Sequence, residues 1–252
     1  MTQNPFSLEG RTALVTGANT GIGQGIAVGL AQAGADIIAV GRSAPTETAA
    51  KVEALGRRFT AVSAEFGSTA PIAEAVEQAF AAGEVDILIN NAGTIRRGDA
   101  IDFSEEDWDA VIDTNLKSVF FLSQAVAKRW VAAGRGGKIV NIVSMMSFQG
   151  GIRIASYTAS KSGLAGLTKL LANEWAGKGI NVNAIAPGYF ATNNTAALQA
   201  DEARNRDILA RIPAGRWGEP ADISGAAVFL ASRAADYMHG AIVPVDGGWL
   251  AR

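Results

Sequence analysis

The chain of 252 residues contains no cysteine and a single histidine, His239. The first absence removes disulfides, thiol nucleophiles and thiolate metal sites together. The second rules out a metal centre built from several histidines and leaves one candidate for a histidine-dependent hydrolytic triad, so no metal is expected. Charge is nearly balanced, with 22 Lys and Arg against 24 Asp and Glu, and no basic stripe interleaves with aromatics. Nucleic acid is therefore not an expected partner. No apolar run approaches the ~18 residues that span a bilayer. The segment Met1-Thr2-Gln3-Asn4-Pro5-Phe6 lacks the charged and apolar regions of a leader. A cytoplasmic protein with no membrane partner is the expectation.

What is present is apolar and alternating. Short β-branched runs at 12–16, 36–40, 59–63, 86–90, 138–144, 180–186 and 241–245 read as strands. Between them lie helical patterns at 22–33, 46–56, 71–82, 104–133 and 221–231, and one that bears Tyr157 and Lys161 and extends to about 177. The strands are continuously apolar, as when helices cover both sheet faces. Alternation of this kind implies parallel pairing through right-handed crossovers. The fold class predicted is α/β: one domain over residues 1–252, a doubly wound parallel sheet of about seven strands with helices on both faces. Residues 189–219 break the alternation, and an insertion of that length over the ligand edge reads as a lid.

Thr16-Gly17-Ala18-Asn19-Thr20-Gly21-Ile22-Gly23 follows the first strand and opens the first helix. Glycines there let the backbone approach a pyrophosphate, and a helix N-terminus offers free N–H donors. The spacing is Gly-x3-Gly-x-Gly, so the candidate dinucleotide contacts are Gly17, Asn19, Thr20, Gly21, Ile22 and Gly23. An acid after the second strand would hold the 2′-hydroxyl of NAD, whereas an arginine suits the 2′-phosphate of NADP. The chain has Gly41-Arg42-Ser43 there. NADP is favoured, with Arg42 as its partner, and NAD stays open.

Tyr157 and Lys161 are four residues apart and lie on one helix face, a turn apart. An ammonium held there favours the phenolate, and a tyrosine so tuned exchanges protons with an alcohol or ketone. Ser144, ending an apolar run, can hold the same oxygen. Trp108, Trp130 and Trp175 read as core or subunit-interface anchors, and His239 as a loop residue.

Taken with Asn90-Asn91-Ala92-Gly93 and Pro187-Gly188, these motifs resemble the short-chain dehydrogenase/reductase family over essentially the whole chain. The resemblance implies a Rossmann-type sheet of seven strands and a homotetramer, in which Tyr157 is the acid/base, Ser144 orients the carbonyl oxygen, and Lys161 binds the nicotinamide ribose. It also implies that Asn115 anchors a water in a proton relay. Asn91, with Ala92 and Gly93, would lie along the cofactor, and Thr192, after Pro187 and Gly188, would meet the carboxamide. Where the family commonly has an aspartate after the third strand, this chain has Glu65-Phe66, giving two further candidate contacts on the adenine side.

Arg96-Arg97 and Arg153 belong to segments facing the nicotinamide end, and arginine matches a carboxylate bidentately. Together with Gln149, Arg96 and Arg153 are the candidate substrate contacts. The segments 91–97, 147–153, 191–195 and 246–252 resemble the branch of the family that acts on open-chain sugar acids, so a sugar acid is the expected substrate. A non-catalytic dinucleotide sensor, the contrasting reading, would have no need of Tyr157, Lys161 and Ser144.

Overall fold

The computed structural model describes residues 4–252; Met1, Thr2 and Gln3 of the segment read above for a leader lie outside this range. Seven strands form one parallel sheet in the order β3-β2-β1-β4-β5-β6-β7. They are β1 Thr12–Thr16, β2 Asp36–Gly41, β3 Phe59–Ser63, β4 Ile87–Asn90, β5 Gly137–Ile142, β6 Ile180–Pro187 and β7 Ile242–Val245. The strand order reverses between β1 and β4, so the crevice at their carboxyl ends is the expected ligand position.

Helices α1 Gly21–Gln32, α2 Thr46–Ala54 and, late in the chain, α9 Ser224–Ala231 supply Ile26, Leu30, Val52, Ala227 and Leu230 to the core on one face. On the other face pack α3 Ile72–Ala82, α5 Ser118–Ala132 and α6 Ala155–Trp175, through Val76, Val126, Trp130 and Leu171. Covering both faces explains why β1 and β6 are buried at every position. Trp130 is fully buried and donates Nε1–H to the Val85 carbonyl at 2.6 Å. A Cβ on Gly137 would lie 2.6 Å from that indole, so the start of β5 accepts only glycine. Trp175 is partly buried against the same core, whereas Trp108 is 40% exposed.

The long helical stretch read from 104 to 133 is interrupted. Ser104 caps α4 (Glu105–Ile112) by accepting the Asp107 N–H, but a π-helical turn at Asp113–Lys117 separates it from α5. Periodicity is nearly blind to one extra residue in a turn, and such bulges gather at functional sites. Residues 189–219 also carry helices, α7 Ala196–Ala200 and α8 Glu202–Arg211.

Candidate active site

The glycine turn between β1 and α1 is shaped by close packing. A Cβ on Gly23 would stand 2.1 Å from the Gly17 carbonyl oxygen and 2.4 Å from Asn91 Nδ2. Gly17 and Gly21 hold φ of +65° and +56°, the left-handed region. Thr20 at the head of α1 makes no side-chain cap, so the first N–H groups of the helix remain available to an anion. These observations fit a dinucleotide pyrophosphate. Asn91 acts on the turn itself, its amide donating to the Thr16 and Gly17 carbonyls at 3.0 and 3.1 Å. Thr16 Oγ1 accepts the Asn91 and Ala92 N–H groups, both at 2.9 Å, tying the end of β1 to the loop after β4. On the far side Thr48 of α2, fully buried, donates to the Ala18 carbonyl at 2.7 Å. Neither threonine was legible as a site residue: Thr16 ends an apolar strand run and Thr48 stands on a largely polar helix, and neither hydroxyl carries a periodic signal.

Other candidate cofactor positions gather at the same edge. Gly188 follows β6 so closely against β7 that a Cβ would lie 2.7 Å from the Asp246 Cα. Thr192 sets its methyl over the glycine turn, 3.2 Å from where a Gly21 Cβ would be. Arg42, just beyond β2, bonds Glu65 through Nη1–Oε1 at 3.0 Å. Phe66 is buried, and its carbonyl accepts from Ser118 Oγ at 2.8 Å.

The four catalytic candidates converge from three elements. Tyr157 and Lys161 occupy the first two turns of α6. Ser144 lies two residues past β5, at the head of a 3-10 turn, Met145–Ser147. That turn is stitched to α6 by Ser147 Oγ to the Lys161 carbonyl at 2.8 Å and Ser162 Oγ to the Met146 carbonyl at 3.2 Å. The stitching sets Ser144 within hydrogen-bonding reach of the Tyr157 hydroxyl. Asn115 sits in the π-helical turn, fully buried. Its Oδ1 accepts the Thr94 N–H at 2.8 Å, and its Nδ2 donates to the Thr94 carbonyl at 2.9 Å and Ser160 Oγ at 3.2 Å. Ser160 Oγ in turn donates to the Tyr157 carbonyl at 2.8 Å. The Asn115 side chain is thus engaged in joining the loop after β4 to the tyrosine's own helix turn.

The electrostatics differ from the simple expectation. Lys161 Nζ lies 5.7 Å from the Tyr157 ring centroid and donates to the Ile142 carbonyl at 2.6 Å. Burial lowers its pKa to about 8. The Tyr157 phenol is raised by burial, opposed by the Ser144 hydrogen bond and the positive charge of Arg97. Desolvation therefore outweighs the neighbouring charges. The expectation that Lys161 lowers the phenol pKa is not met, because its ammonium points to the Ile142 carbonyl.

Of the rim candidates, Arg96 Nε meets Asp107 Oδ1 at 3.2 Å, and Arg153 Nε meets Asp99 Oδ1 at 3.1 Å. Arg153 holds φ of +63°, rare for a side-chain-bearing residue, and its carbonyl accepts the Gly98 N–H at 3.1 Å. Gln149 Oε1 accepts from Trp249 Nε1 at 3.2 Å. The cation whose field reaches the phenol is Arg97. Over this floor, Ile208 and Ile212, in and beside α8, form an apolar cluster with Met145, Met146 and Trp249, against which Tyr157 and Tyr189 pack. Tyr189 meets Trp249 and Trp217 edge-on, and Arg211 stacks over Trp249 at 4.0 Å. His239 stands away from this constellation, beside Asn181 in the loop before β7.

A family model described as enoyl-(acyl carrier protein) reductase matches residues 17–250. The 2-dehydro-3-deoxy-D-gluconate 5-dehydrogenase of Escherichia coli (strain K12) is 60% identical over the whole of both chains. The chain belongs to the short-chain dehydrogenase/reductase family. It is an NAD(P)-dependent oxidoreductase, as the seven-stranded sheet and the site geometry anticipate. The gluconate 5-dehydrogenase of Gluconobacter oxydans (strain 621H) is 45% identical over 96% of each chain. Among solved structures, an Agrobacterium tumefaciens protein, provisionally called a 2-deoxy-D-gluconate 3-dehydrogenase and holding NADP, shares 64% identity at a TM-score of 0.94. That similarity covers 99% of this chain and 100% of that one.

Proposed function

We propose that this member of the family interconverts a secondary alcohol and a ketone on an open-chain sugar acid, with 2-dehydro-3-deoxy-D-gluconate oxidised at C5 as its substrate. The observation that carries the chemistry is the Ser144–Tyr157 pair at the carboxyl edge of the sheet, beside a glycine turn open to a dinucleotide. When bound, NADP or NAD supplies the hydride acceptor. As the phenolate, Tyr157 takes the hydroxyl proton of the alcohol at its Oη and becomes the phenol; in the reverse direction the phenol gives that proton to the carbonyl oxygen and returns to the phenolate. Ser144 holds the same oxygen, and Lys161, whose ammonium lies 5.7 Å from the tyrosine ring centroid, is the proposed partner of the ribose hydroxyls. The buried polar chain from Thr94 through Asn115 and Ser160 keeps the tyrosine's helix turn in register with the loop carrying Arg96 and Arg97.

The substrate assignment rests on the 60% identity to the Escherichia coli enzyme and on cations at the pocket rim. Arg97, whose charge acts on the Tyr157 phenol, is the proposed carboxylate partner, with Arg96 and Arg153 as the other candidates on the rim. Residues 189–219 are read as the lid, with α8 as its roof. Gluconate oxidation is the second reading, supported by the Gluconobacter oxydans relative.

A homotetramer is part of the proposal, supported by exposed Trp108, Phe121 and Leu170 on α4, α5 and α6. So is a cytoplasmic location; among the described residues, no helix is long and apolar enough to cross a membrane.

The test is a panel of 2-dehydro-3-deoxy-D-gluconate and gluconate with NAD and NADP, followed by nicotinamide absorbance, with gel filtration for the assembly. The expected result is a kcat/KM highest for the deoxy keto acid. Preference for gluconate would replace the substrate but keep the mechanism; no turnover of either acid would overturn the sugar-acid reading.

A further inference from the structure

At the adenosine end, two candidate contacts read separately from the sequence meet each other. Arg42 lies just past β2 and Glu65 two residues past β3, and the backbones are joined there by the Ala64 N–H to the Gly41 carbonyl at 3.2 Å. Gly41 approaches Gly17 of the phosphate turn, a Cβ built on it lying 3.9 Å from the Gly17 Cα. The guanidinium meets the carboxylate at 3.0 Å through one nitrogen only. Both side chains are open to water, at 74% and 65% exposure. A contact of that kind is weak and exchangeable, worth ~0–1 kcal/mol.

From this contact we propose that Glu65 is a specificity-determining residue, an internal competitor for the arginine that would hold the 2′-phosphate of NADP. The inference rests on the reading that this edge takes the adenosine half of NADP or NAD. Two anions cannot share one guanidinium without penalty. A 2′-phosphate seated on Arg42 either displaces Glu65 or lies beside it, and both weaken its hold. NAD carries a hydroxyl there and neither needs Arg42 nor meets the Glu65 charge as an opponent. The pair therefore narrows the preference for NADP and keeps NAD usable.

The experiment is equilibrium binding of NADPH and NADH, read by reduced-nicotinamide fluorescence, with no sugar acid present. In Glu65→Gln, which keeps shape and removes charge, NADPH should bind up to about 5-fold tighter at low salt, with NADH changed less than about 2-fold. In ~1 M salt, where the screening length falls to about 3 Å, the gain should largely vanish. On an Arg42→Ala background, Glu65→Gln should change NADPH binding less than about 2-fold, because the contested group is gone.

An unchanged NADPH-to-NADH ratio in Glu65→Gln would overturn the proposal. Weaker NADPH binding would also overturn it, by making Glu65 a support for Arg42. A gain that persists at full size without Arg42 would overturn the competition and leave only direct repulsion. Failure of the wild-type protein to bind either nucleotide would fell the cofactor reading instead, and a melting curve for each variant separates misfolding from all of these.

Discussion

Lys161 is a buried ammonium with one backbone acceptor, and its titration should be visible in the stability of the whole chain. Its pKa falls from the usual 10.5 to about 8 on folding, because burial disfavours the charged form. At about 1.36 kcal/mol per pKa unit, that difference of about 2.5 penalises folding by about 3 kcal/mol at neutral pH. Above pH ~8 the folded chain releases the proton while the unfolded chain keeps it up to ~10.5, so stability rises with pH across that window. The penalty is complete below the folded value and gone above the unfolded one. Between about pH 7 and 10, linkage relieves about 2 to 3 kcal/mol of it. Tyr157 and Tyr189, both raised by burial, work in the opposite direction at the alkaline end. Comparison with Lys161→Met removes their contribution, since both proteins keep them. Urea unfolding at equal protein concentration, followed by tryptophan fluorescence, should show wild type gaining about 2 to 3 kcal/mol on the variant over this range. A gap that stays constant with pH would refute the claim that Lys161 is buried as a charge.

Three further outcomes are expected. Tyr157→Phe keeps the ring and deletes the proton path, so kcat should fall ~10²–10⁴-fold with cofactor affinity retained, measured by initial rates and fluorescence titration; activity near wild type would remove Tyr157 from the reaction. Gly23→Ala places a methyl 2.1 Å from the Gly17 carbonyl; dinucleotide binding should be lost and the melting temperature lowered, whereas wild-type affinity would mean that the turn can open. Arg97→Ala should raise KM for a sugar acid by roughly 10- to 100-fold, the worth of a charge-assisted contact. Unchanged KM there, with a loss in Arg153→Ala, would move the carboxylate to the other side of the rim.

Much of the architecture follows from local pattern. The β-branched apolar runs, the helical periods and the glycine punctuation each act over a few residues, so strands β1 to β7 and the position of the glycine turn were legible without coordinates. Tyr157 and Lys161 were legible because helix geometry puts residues four apart on one face. What remained hidden depends on contacts between distant segments. The π-helical turn at Asp113–Lys117 leaves the helical period nearly intact. Asn115 is bound there to Thr94 and Ser160, 21 and 45 residues away. Thr16 and Thr48, which brace the glycine turn, look like any hydroxyl at a strand end or on a polar helix. The sign of the Tyr157 pKa displacement required knowing how deeply the ring is set and that Lys161 turns to Ile142. The pairing of Arg42 with Glu65 likewise arises only because β2 and β3 end side by side. Sequence spacing determines which side chains share an element. Tertiary packing alone decides desolvation and which charge finds which partner, because both depend on what lies across the gap between elements.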